Sequence, residues 1–208
     1  MFINICMPIA LITHNRCGTH MICKSIIDCK LFHEPIETNG YIICHKNGNS
    51  IFMNDDWSFN YLERRNTYDW FLTSTFNYYI TNHVLTRDNL YDGEEDRNSH
   101  LYNDCVELIS SIPSLTLSLL HMKPCVKQLS AYYAFKSAHP SAFDTLYYED
   151  LVRDVKHELL KWNVDYVSSS SSIKLKKPSY DTFFTNIKEM EQPWYKILNA
   201  FCEPHSRL

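Results

Sequence analysis

Residues 9–29 read IALITHNRCGTHMICKSIIDC, and the fold turns on how they are parsed. Ile9 to Thr13 is a short continuous apolar run of the kind that forms a strand buried on both faces of a parallel sheet. A polar turn follows, with Gly18 as its one glycine. Met21, Ile22, Ser25, Ile26 and Cys29 then recur at helical spacing, which predicts a helix opened at Gly18. In a parallel sheet such a strand–turn–helix lies at the carboxyl end of a strand, where ligands bind. The first helical turn there offers unpaired N–H groups and the positive end of the helix dipole, and both favour phosphate or sulfate. Arg16 adds a permanent cation, Thr19 a hydroxyl donor, and Gly18 a close backbone approach. A Walker A loop is absent, since no GxxxxGK[ST] pattern is present.

Outward from this stretch, residues 33–40 (HEPIETNG) read as a loop. Residues 41–44 and 50–53 read as two short strands around the Asn47-Gly48 turn signal. Aromatics at 57, 61, 68, 71 and 76 predict helix over 56–76, with a break near Asn66, and the β-rich run 78–86 predicts a second core strand. Helices are expected over 101–111, 124–138, 149–162, 179–190 and 193–202, with a third strand at 144–148. The polar stretch 92–100 and the serine run within 168–176 read as loops. Strands alternating with helices give an α/β chain with a central parallel sheet flanked by helices, single over residues 1–208.

Composition narrows the function classes. A net charge of −4 argues against wrapping nucleic acid but leaves room for one nucleotide on a local basic patch. No stretch approaches the roughly 20 apolar residues of a membrane helix. The apolar start MFINICMPIALIT lacks a basic n-region, so it reads as the first buried strand, and a cytoplasmic protein is expected. The eight cysteines form no CxxC pair and read as reduced thiols.

The segment THNRCGTH resembles the 5′-phosphosulfate loop of the sulfotransferases that use 3′-phosphoadenosine 5′-phosphosulfate (PAPS), of the small bacterial and marine type. Arg16 stands in the basic position, followed by Cys17, Gly18 and Thr19; His20 replaces the common second Ser or Thr. Residues 79–89 (YITNHVLTRDN) are similar to that family's second core strand, whose terminal Arg holds the donor's 3′-phosphate, and Arg87 fits. Residues 143–153 (FDTLYYEDLVR) resemble its tyrosine–glutamate–aspartate–leucine segment, and 174–189 its late Lys-rich segment before a helix. The family places a Ser about two helical turns after the strand-end Arg; here Glu95 stands eight residues beyond Arg87, and Ser99 is the nearest candidate.

The resemblance implies that the α/β chain is a P-loop-like three-layer domain. It also implies transfer of a sulfuryl group from PAPS, as co-substrate and without a metal, to a hydroxyl or amine of a small molecule or glycan. Donor contacts would come from Arg16, Cys17, Gly18, Thr19, His20, Arg87 and Ser99. Arg16, Glu34 and His20 would carry catalysis, with Glu34 preferred over Glu37 as the base and His14 or His20 as substitutes. Other readings stand beside this one. A non-catalytic relative could keep the fold as a binding module, and a P-loop nucleotide kinase would need a Lys-Ser/Thr pair that is missing. Cys17 could be drawn as a nucleophile or, with His14 and His20, as a metal ligand, but the phosphatase spacing is unmet and no known ligand spacing fits. Glu149 and Asp150 read as first-turn acids of a helix, and Trp57, Trp70, Trp162 and Trp194 as core or pocket lining.

Overall fold

The computed structural model describes residues 9–14, 17, 22, 36–38, 41–45, 58–83, 115–141, 143–162 and 180–202. The described chain is mixed helix and strand. Its five strands are β1 (Ile9–Thr13), β2 (Ile36–Thr38), β3 (Tyr41–His45), β4 (Ser58–Glu63) and β5 (Leu146–Tyr147). They form one sheet in the order β2-β3-β1-β4-β5. β1, β4 and β5 are mutually parallel, with Thr13 beside Leu62 and Leu62 beside Leu146. β3 pairs antiparallel with β1 and with β2, so a hairpin completes the other edge.

The chain divides into two compact units: residues 1–66, 127–170 and 202–208 in one, and 67–126 and 171–201 in the other. The sheet belongs to the first. Leu11, Ile12 and Thr13 are all buried although consecutive residues face opposite sides, so β1 is covered on both faces, as its unbroken apolar run predicts. Ile12 and Tyr61 pack against Tyr132 of helix α2 (Leu119–Ala138), with Phe59 and Phe135 alongside. Ile22 is helical and fully buried.

Helices α3 (Tyr148–Arg153) and α4 (Val155–Leu160) follow β5 directly. One helix over 149–162 is expected from the sequence, and two are found. Asp154 interrupts them at φ −155°, ψ 87°, and its side chain caps α4 by accepting from the His157 N–H at 3.0 Å. The buried Trp162 indole donates to the Asp144 carbonyl at 2.9 Å.

The second unit is built on α1 (Thr67–His83), the start of α2, α5 (Tyr180–Phe183) and α6 (Ile187–Cys202) up to Phe201. Trp194 lies flat on Phe71 at 4.7 Å between ring centroids, and its indole N–H donates to Thr67 Oγ1 at 3.2 Å. The Tyr68 hydroxyl donates to the Ile187 carbonyl. Asn186 closes a pair of hydrogen bonds with the Leu117 backbone, at 2.8 and 3.0 Å.

Several sequence expectations are corrected. Residues 58–63 are strand rather than helix, because Asn60, Tyr61, Leu62 and Glu63 are buried in succession between β1 and β5. Tyr79–His83, expected in a strand ending at residue 86, closes α1 instead. Their β-favouring side chains yield to continuation of a helix already anchored by Trp70, Phe71 and Phe76. Ile36–Thr38 is a strand, not loop, and pairs antiparallel with β3, with Thr38 opposite Tyr41; the Asn47-Gly48 turn signal lies outside the described residues. The sheet is mixed rather than wholly parallel. The expected helix 101–111, the strand 50–53 and the loop 92–100 lie outside the described residues.

Candidate functional site

Because β1, β4 and β5 run parallel and side by side, their carboxyl ends share one edge of the sheet in the first unit. That edge gathers His14 and Cys17 beyond β1, Glu63, Arg64 and Arg65 at the end of β4, and Tyr147 to Asp150 at the end of β5. It is the place where an open α/β sheet binds ligands.

Beneath the edge lies a buried polar network. His14 and Cys17 are both fully buried, and the thiol sits 3.1 Å from the imidazole Nδ1 and 3.4 Å from Nε2. The His14 ring meets the Tyr132 ring edge to face at 5.3 Å. Tyr132 donates its hydroxyl to Glu63 Oε1 at 3.2 Å, and Lys136 Nζ donates to the same oxygen at 2.6 Å. Lys136 also donates to Thr145 Oγ1 at 2.8 Å, just before β5. The Glu63 charge is thus paired and hydrogen-bonded, as burial of a carboxylate requires.

Burial pushes the Cys17 thiol well above its ordinary range; the Thr13 hydrogen bond and the Arg64 charge oppose this weakly, while Glu63 and Glu149 add to it. The thiol is therefore protonated near neutral pH, and a protonated, enclosed thiol is not a nucleophile. Burial and the neighbouring Glu63 raise Tyr132 in the same way.

Two arginines and two acids stand at the same edge. The Arg64 guanidinium stacks on Tyr148 at 4.0 Å, and that of Arg65 on Tyr147 at 4.1 Å. The Arg65 backbone N–H donates to Glu149 Oε2 at 3.1 Å, and its Nη2 to Asp150 Oδ2 at 2.5 Å. The Arg65 side chain remains 51% exposed, against 19% for Asp150. Glu149 and Asp150 do occupy the first turn of α3, and beyond that role they bind Arg65. A fixed, half-exposed guanidinium can take an anion with two parallel N–H donors.

Of the site residues expected from the sequence, Cys17 is brought to this edge, and His14 lies against it. Glu37 is in β2 opposite Ile42. Arg16, Gly18, Thr19, His20, Glu34, Arg87 and Ser99 lie outside the described residues. The reading of Arg87 rests on a strand that is helical over Tyr79–His83, whereas the parallel neighbour of β1 is β4, which ends at Glu63 and is followed directly by Arg64-Arg65. Sequence reasoning missed those two arginines, together with Glu63, Tyr132 and Lys136. The available signal was LERRNT, a charged boundary between two aromatic-rich runs. Among the described residues no three His, Cys, Asp or Glu side chains converge as a metal site, and no helix is long and apolar enough to cross a membrane.

No family model, curated protein or solved structure matches the chain.

Proposed function

We propose that the protein binds a nucleotide sulfate at the carboxyl edge of β1 and β4 and is a PAPS-dependent sulfotransferase with a P-loop-like fold. The observation that carries the reading is the adjacency of two parallel strands, one running into the THNRCGTH segment and the other ending at Glu63 and followed directly by Arg64-Arg65. The resembling family calls for this pair: a basic loop for the phosphosulfate and a second core strand with a terminal Arg for the 3′-phosphate. In the proposal Arg65 takes the 3′-phosphate, the role that the resemblance gives to Arg87. Arg16, Thr19, His20 and the N–H groups of residues 17–20 take the sulfuryl end.

Transfer is an in-line displacement. The acceptor oxygen or nitrogen forms a bond to sulfur as the bond from sulfur to the bridging phosphate oxygen breaks. The electron pair leaves on adenosine 3′,5′-bisphosphate, and the acceptor proton passes to Glu34, with His20 as the substitute base. Charge growing on the leaving oxygen is met by Arg16 and the loop N–H groups.

Calorimetry with adenosine 3′,5′-bisphosphate tests the reading. The wild-type protein is expected to bind. Arg65→Ala should lose about 1.5–3 kcal/mol of binding, the scale of charge-assisted hydrogen bonds, while Arg87→Ala stays close to wild type. Loss in Arg87→Ala with none in Arg65→Ala returns the 3′-phosphate to Arg87. A wild-type protein that does not bind the nucleotide ends the proposal.

A further inference from the structure

Arg65 is held in more ways than a surface arginine needs. Its backbone N–H is bonded to Glu149, its guanidinium face lies on Tyr147, and one edge is bonded to the mostly buried Asp150 carboxylate. All four residues belong to the first unit, at the ends of the paired strands β4 and β5. A guanidinium has five N–H donors. Among the described residues one of them, on Nη2, is bonded, and half of the side chain stays exposed. Stability does not account for this: a half-exposed ion pair contributes little to folding. What the arrangement does is hold a long, rotamer-rich side chain in one orientation with its other donors outward. Ordering such a side chain at the moment of binding costs about 0.5–1.5 kcal/mol, and a receptor ordered beforehand avoids that loss.

We propose that Asp150 is a positioning residue: its carboxylate, with the Tyr147 ring, fixes the Arg65 guanidinium so that its free donors receive a phosphate of the bound nucleotide. The inference rests on the reading of Arg65 as an anion-binding residue. It goes beyond that reading by giving a task to an acidic residue that, by charge alone, would oppose an anion.

The two effects of Asp150 separate by substitution. Asp150→Asn keeps an oxygen that can accept from Nη2 and removes the charge. Asp150→Ala removes both. Affinity for adenosine 3′,5′-bisphosphate is measured by calorimetry in both variants, in the wild type, and in the same pair made in an Arg65→Ala background. Asp150→Asn should bind as well as wild type or somewhat more tightly. Asp150→Ala should bind about three- to tenfold more weakly than Asp150→Asn, the fold-change that corresponds to the ordering cost. In the Arg65→Ala background the Asn and Ala variants should bind alike, because the effect passes through Arg65. If Asp150→Ala binds as tightly as Asp150→Asn or more tightly, Asp150 screens the arginine instead of positioning it, and the inference falls. A difference that persists without Arg65 also overturns it. Should Asp150→Ala fail to fold, Asp150→Glu keeps the charge and displaces it by one methylene; unchanged affinity there overturns the inference, and a loss of about threefold supports it. Failure of the wild-type protein to bind the nucleotide brings down the functional reading first, and is distinguishable from all of these.

Discussion

Cys17 shows what a single residue's surroundings decide. In sequence it stands between Arg16 and Gly18, where a thiol nucleophile or a metal ligand can be drawn. In the folded chain it is sealed against His14, and burial outweighs the nearby Arg64 charge. Its chemistry is that of a small packed hydrophobe with a weak donor. Iodoacetamide applied to the native protein at neutral pH should therefore leave Cys17 unmodified, and peptide mapping should find it alkylated only after unfolding. Rapid native labelling at Cys17 would contradict the protonated, enclosed thiol. Burial of this kind is not written in the local residues: His14, which meets the thiol, is itself packed against Tyr132, sequence-distant on α2. The Arg64-Arg65 pair was legible as letters; its meaning was not, since whether it ends a strand or sits within a helix depends on β1 and β5 as neighbours.

At the scale of elements, β1 was legible because an unbroken apolar run suits a strand covered on both faces. The segment 58–83 was not. Its aromatics Phe59, Tyr61, Tyr68, Phe71 and Phe76 satisfy more than one period, and Tyr78 to Thr81 favour strand by propensity alone. Tertiary packing settles it: α1 is held by α6 through Trp194, which stacks on Phe71 and bonds Thr67. That contact sets the expected cost of losing it. Trp194→Ala should destabilise the protein by about 3–5 kcal/mol, as large-to-small aromatic substitutions in cores do. Thr67→Val should cost about 1–3 kcal/mol by leaving the indole N–H without its acceptor. Urea unfolding measures both. A Trp194→Ala variant within 1 kcal/mol of wild type would show that the stack does not hold the two helices together.

For the whole molecule, several buried acids have one consequence in common. Burial lifts Cys125 from 9.0 to about 12, and burial with the Glu191 and Tyr195 charges lifts Tyr68 from 10.0 to about 12. Both groups are neutral when protonated, so the folded state keeps protons that the unfolded chain releases. Stability from these groups is fully present below the unfolded values, near 9 and 10, and is lost as pH rises toward 12. Each retained proton contributes at most about 1.4 kcal/mol per pH unit to that fall. Urea midpoints should then be insensitive to these groups at pH 7–8 and decline steeply between pH 9.5 and 11. Tyr68 also carries a structural penalty, because its hydroxyl donates to the Ile187 carbonyl at the start of α6, and the phenolate cannot donate. Tyr68→Phe separates the two effects. It should be less stable than wild type at pH 7, by about 1 kcal/mol for the lost hydrogen bond. Its stability should also fall less steeply above pH 10, so that the two curves converge as pH rises. Curves that stay parallel to pH 11 would mean that Tyr68 ionises alike in the folded and unfolded chain, and that its burial against Ile187 does not hold the proton.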